Sequence, residues 1–106
     1  MKIGTLRNRV VMQRKEVTED DLKQQSETWI DFAYIWAAIQ PLTGREYFSA
    51  RQENAEVTTR ITIRHLKNVG PEMRVIFGSR VFEILSVINP NELNISLVLM
   101  CREVVT

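Results

Sequence analysis

His65 is the only histidine and Cys101 the only cysteine among the 106 residues, so acid-base or nucleophilic chemistry would have to be built on one of them. A histidine works as a general base when a Ser, Cys or Thr nucleophile lies within hydrogen-bond reach and a third group orients the ring. No recognisable nucleophile motif accompanies His65, and it reads as a surface or interface side chain. Cys101 continues the alternating apolar face of a C-terminal run, where a free cysteine behaves as a small hydrophobe and is expected to be buried. A lone cysteine excludes an intrachain disulfide and a Cys-rich zinc site, and suits a reducing compartment.

The acidic run Glu19, Asp20, Asp21 could attract a hard cation, but it lacks the glycine and the spaced oxygen ligands of a calcium loop, and reads as solvated. Arg60 and Arg64, with Thr58 and Thr62, form a strip able to engage phosphate oxygens through guanidinium forks, as any wet strand face of this composition would. The chain contains no phosphate-binding glycine loop, no HExxH and no paired Cys motif. Taken together these residues predict no catalytic site, no metal and no cofactor. Trp29, Phe32, Tyr34 and Trp36 stand apart for another reason. Four large aromatics so close together exceed what one small core needs on a single face. Core packing is the first expectation for each, and a subunit interface the second, because large aromatics anchor such boundaries.

The elements that must carry these residues belong to one compact domain, residues 1–106. An apolar share of 44% and a charged share of 25% are those of an ordinary globular chain. With 14 basic and 13 acidic side chains the formal charge is +1, which supplies no overall field toward nucleic acid or anionic lipid. No apolar run approaches membrane-spanning length and no cleavable leader is evident, so a soluble, unprocessed protein without membrane contact is expected.

Val10, Val11 and Met12 open a β-prone run, and the polar tract from Val17 to Thr28 then predicts a long mobile loop. Trp29 to Ile39 predicts a second strand, ended by Pro41 and Gly44. Arg45 to Asn54 contains helix formers and is expected to be a short helix. Between Val57 and Leu66, Ile61 and Ile63 alternate with Arg60, Thr62 and Arg64, giving one buried and one wet face. Val-Gly-Pro at positions 69–71 marks a turn, with a strand resuming by Arg74. Gly78 and Ser79 close a tight hairpin between Val75–Phe77 and Val81–Ile88. Asn89, Pro90 and Asn91 form another turn before a last run that places Ile95, Leu97, Leu99 and Cys101 on one face. The pattern is mainly β and suits a small, partly open barrel of five to six antiparallel strands with one short helix and a long loop.

Several stretches resemble the phage head-tail joining or head-closure family, which includes the stopper proteins of siphovirus connectors. They are MKIGTLRNRVVMQ at the N-terminus, Trp36-Ala37-Ala38-Ile39-Gln40-Pro41-Leu42-Thr43-Gly44-Arg45-Glu46, the run Thr59-Arg60-Ile61-Thr62-Ile63-Arg64, and Leu97 to Glu103. Together they span essentially the whole chain. The polar Lys23 to Thr28 departs from the pattern, replacing a glycine-containing turn ahead of the tryptophan.

The resemblance implies a structural protein and not an enzyme. It would be a homo-oligomeric ring between a portal-bound adaptor protein and the tail proteins, closing the DNA-filled head. Assembly in the host cytoplasm, a place at the virion connector and non-specific proximity to phage DNA follow from it. The segment Arg45 to Thr58 would face the channel and act as a mechanical gate, with Arg45, Glu46, Tyr47, Gln52, Glu53, Asn54, Glu56 and Thr58 as its candidate residues. Trp29, Phe32, Tyr34 and Trp36 are the candidate subunit interface. The rival expectation is a small OB-like barrel that binds single-stranded nucleic acid through basic and aromatic faces.

Overall fold

The computed structural model describes residues 6–44, 48 and 56–104. Six strands follow in the order β1 (Asn8–Glu19), β2 (Gln25–Pro41), β3 (Thr59–Arg64), β4 (Arg74–Phe77), β5 (Arg80–Ile88) and β6 (Ser96–Val104). A 3-10 turn at Pro90–Glu92 precedes the last strand. All neighbours are antiparallel, and the order around the wall is β1-β2-β3-β6-β5-β4, with β4 returning to β1. The expected mainly β barrel is therefore what forms, and it closes completely where the sequence pattern suggested a partly open wall. The closing seam is short: Val11, Met12 and Gln13 pair with Ile76, Val75 and Arg74. Closure removes the long exposed edges that an open sheet of this size would present.

Strand alternation fills the interior. Val10 and Met12 of β1, Ile61 and Ile63 of β3, Val75 of β4, Phe82 and Ile84 of β5, and Leu97, Leu99 and Cys101 of β6 are buried in one cluster. The apolar faces expected of Ile61, Ile63, Ile84, Leu97 and Leu99 all point inward. Ile95 does not. It is 61% exposed while Ser96 is buried, because β6 starts only at Ser96 and Ile95 still belongs to the turn, its carbonyl accepting the His65 N–H at 3.1 Å.

Two bulges bend the wall. The β1–β2 register passes from Met12↔Ala33 to Gln13↔Asp31, leaving Phe32 as an extra residue. In β5 the step from Ile84↔Cys101 to Ser86↔Met100 leaves Leu85. An extra residue increases local twist and re-aims the side chains beyond it. Phe32 itself packs against the core.

The largest departure from expectation is the tract Val17 to Thr28. It is not a loop but the distal half of the β1–β2 hairpin, which beyond Gln13 pairs with nothing except itself. This two-stranded arm, Arg14–Glu19 against Gln25–Ile30, accounts for the elongated shape, 50 × 28 × 27 Å. Polar residues cannot join a core, yet they can pair across strands. Thr18 and Ser26 share a hydroxyl hydrogen bond of 2.8 Å, and Lys15 Nζ lies 3.3 Å from Glu27 Oε2. The turn is held by Asp20, whose Oδ1 accepts the N–H groups of Leu22 at 2.9 Å and Gln24 at 2.8 Å, an Asx-type cap. Lys23 takes the left-handed conformation (φ 60°) that such a turn requires.

The β2–β3 connection leaves the barrel at the end opposite the arm. The short helix expected over Arg45–Asn54 lies outside the described residues apart from Phe48. The roots of that connection are described and firmly held. Leu42 and Val57 are buried, the Leu42 N–H donates to the Thr58 carbonyl at 3.1 Å, and the Thr58 N–H donates to that of Cys101 at 2.9 Å.

Candidate functional site

The residues weighed for chemistry are not brought together. His65 lies at the β3 exit and Cys101 inside the barrel, fully buried. Burial pushes the Cys101 thiol up to about 12, since the thiolate would lack solvation. Such a thiol is inert as a nucleophile. Among the described residues, no group of three or more His, Cys, Asp or Glu side chains is placed to hold a metal ion. The phosphate-engaging strip is partly engaged internally, with Arg60 Nη2 donating to Gln40 Oε1 at 3.0 Å.

What the fold does build is a set of surfaces. The first is the junction of arm and barrel. Here two cations lie over the Trp29 ring, with Arg74 Cζ 4.2 Å and Lys15 Nζ 5.2 Å from its centroid. Arg74 Nε also donates to Gln13 Oε1 at 2.7 Å, and Gln13 Nε2 donates to Asp31 Oδ1 at 2.9 Å. The Tyr34 hydroxyl donates to the other oxygen of Asp31. These bonds, that of Tyr34 above all, hold the Asp31 carboxyl below its ordinary range, and the same bond raises the Tyr34 phenol. Asp31 and Arg74 were not legible as partners of Gln13 and Trp29, because only the strand register sets them side by side.

The second surface is a groove of about 540 Å³ between β2 and the exit of β3. Leu6, Tyr34, Ile35, Trp36 and Leu66 line it, with Arg64 and His65 at the same site. Beyond Ala37, β2 no longer pairs with β3, so the two strands splay apart. Tyr34 is 59% and Trp36 50% exposed, and Arg9 lies over the Trp36 ring at 5.4 Å. Core packing, the first expectation for the four aromatics, thus holds only for Phe32. Trp29 is half-buried under cations, and Tyr34 and Trp36 face outward. The bulge at Phe32 is the physical reason, since it shifts the alternation on which a single shared face depends.

The third surface surrounds the roots of the β2–β3 connection. Thr58 Oγ1 accepts the Glu103 N–H at 3.1 Å, and exposed Glu56 lies 4.0 Å from Arg102 Nε. Arg80 grips Glu103 with two bonds of 2.9 and 3.0 Å, which lower the Glu103 carboxyl. Of the candidate gating residues, Glu56 and Thr58 are placed at the root of the β2–β3 connection, against β6. Arg45, Glu46, Tyr47, Gln52, Glu53 and Asn54 lie outside the described residues.

The conspicuous features of this small closed barrel are an arm, a groove and a connection with pinned roots. Comparison with known proteins gives the barrel its family. Residues 1–104 match the family model described as phage head completion protein, and the chain belongs to that family of phage structural proteins. It is 27% identical over 107 residues to head completion protein gp7 of Enterobacteria phage HK97, covering 96% of each chain. The solution structure of protein SF1141 from Shigella flexneri 2a superposes with a TM-score of 0.83 at 30% identity, covering 97% of this chain and 96% of that one. A chain in the virion of a native gene transfer agent particle shares the fold, with a TM-score of 0.63 at 20% identity over 95% of this chain and 97% of that chain. The resemblance read from the sequence is thereby borne out.

Proposed function

We propose that this protein is a head-closure subunit, forming a ring of identical copies at the head-tail junction that seals the DNA-filled head and gives the tail its attachment surface. The observation that carries this reading is the polarity of the barrel. One end bears the arm, and the other bears a long connection whose two roots are pinned by Leu42, Val57 and Thr58. A subunit lying between two different neighbours, an adaptor bound to the portal on one side and tail protein on the other, needs two different ends. Family membership supports the reading, as does the shared fold with a chain in a virion.

The connection from Arg45 to Thr58 is the gate. A gate of this kind works mechanically, in the order-disorder or hinge class of switch. No bond is made or broken. Two genetic tests separate the roles. Loss of the whole chain should give DNA-filled heads that leak and do not join tails; tailed, stable particles would refute the closure role. Deletion of Gln52 to Glu56 should leave assembly intact and release DNA, whereas fully retained genomes would refute the gate.

A further inference from the structure

The arm tip and the groove carry opposite charge, and within one chain the paired hairpin holds them apart. Between Glu19 and Glu27 the chain carries four carboxylates and one lysine, although its overall charge is +1, so the remainder is net basic. At the apex Leu22 is 78% exposed, presented by a turn that Asp20 makes rigid. The groove has the opposite character. Its walls are apolar and aromatic, Arg64 and His65 line it, and among the described residues no acidic side chain does. Asp31, bonded to the Tyr34 hydroxyl, is already occupied by that bond and by Gln13. From Tyr34 to Gln25 the strand runs roughly 30 Å at the usual rise per residue. An arm stiffened by cross-strand pairs therefore holds its tip far from its own groove.

We propose that the acidic, leucine-bearing arm tip of one copy docks in the basic aromatic groove of the next copy. Leu22 enters the apolar floor between Trp36 and Leu66, and Asp21 faces Arg64. Tip and groove are different surfaces, so the contact is head-to-tail and closes into a ring when the rotation per copy divides a full turn. Each contact is small, and repetition around the closed ring compensates for weak single contacts. This inference rests on the ring reading above and specifies which surfaces make the ring.

The test uses assembled particles carrying the full chain with Leu22→Cys and His65→Cys together. The native Cys101 is buried and does not interfere. Mild oxidation should give a ladder of chain multiples on a non-reducing gel that collapses on reduction, and neither single variant should give one. An amine-reactive cross-linker applied to unaltered particles reports independently whether copies are adjacent. A cross-linker ladder without a disulfide ladder overturns the arm-in-groove contact and leaves the ring standing. No ladder by either route overturns both. Disulfide capture of a different virion protein by Leu22→Cys also overturns the contact. In the same double-cysteine background, Asp21→Lys or Arg64→Glu alone should lower ladder yield at least fivefold, and the pair together should restore it. Failure of that rescue would refute the charge pairing.

Discussion

Replacing Trp29 with alanine should loosen the arm while leaving the barrel closed. The ring is held by Arg74 at 4.2 Å and Lys15 at 5.2 Å, and a cation over an aromatic face contributes about 0.5–1 kcal/mol at such partly exposed positions. Trp29 also lines a cleft with Val17, Met73 and Leu85, so loss of the half-buried ring adds about 1 kcal/mol of apolar contact. The total, about 2 kcal/mol, is borne by a two-stranded ribbon, and such a ribbon is marginal in water by itself. It should therefore appear as local opening and not as global unfolding. Native-state hydrogen exchange reads the two separately. Arm amides over residues 14–30 should exchange about thirtyfold faster, as 1.4 kcal/mol corresponds to a factor of ten, with amides of β3 and β6 changed by less than about threefold. An equal loss of protection in arm and barrel would refute the idea that Trp29 anchors a separate unit. Unchanged arm exchange would refute the cation contacts as its support.

Other outcomes follow from the core and the thiol. Phe82, fully buried within the core cluster, should cost about 3–5 kcal/mol on replacement by alanine, read by denaturant unfolding; a loss under about 1 kcal/mol would contradict a closed, packed barrel. The Cys101 thiol is raised by burial to about 12, so between about pH 9 and 12 the folded chain keeps a proton that the unfolded chain has lost. Stability should fall with rising pH across that window by about 1.4 kcal/mol per unit. The Cys101→Ala variant should lack this component, and identical slopes would refute the assignment. A labelled oligonucleotide at low salt should bind weakly, because the chain carries a formal charge of only +1 and so neutralises few phosphates. Micromolar or tighter binding would favour the nucleic-acid reading instead.

The barrel was legible where side chains alternate. Ile61 and Ile63 against Arg60 and Arg64, and Leu97, Leu99 and Cys101 in succession, specify a buried and a wet face by period alone. The arm was not legible, because its residues are polar on both faces and carry no burial signal. The cross-strand pairs that order it, Thr18 with Ser26 and Lys15 with Glu27, appear only once the hairpin register is known. The aromatic cluster misled for a related reason. One bulge at Phe32 changes which residues share a face, and nothing local in Trp29–Trp36 marks it. Barrel closure was hidden in the three-pair seam between β1 and β4, a contact between segments some sixty residues apart.

The central claim is that copies of this barrel form a ring at the head-tail junction, and electron cryo-microscopy of the portal vertex in assembled particles tests it most directly. The six-stranded barrel should recur around the channel axis between head and tail, with each arm reaching the adjacent copy. A vertex without the barrel, or with a single copy off the axis, would contradict it.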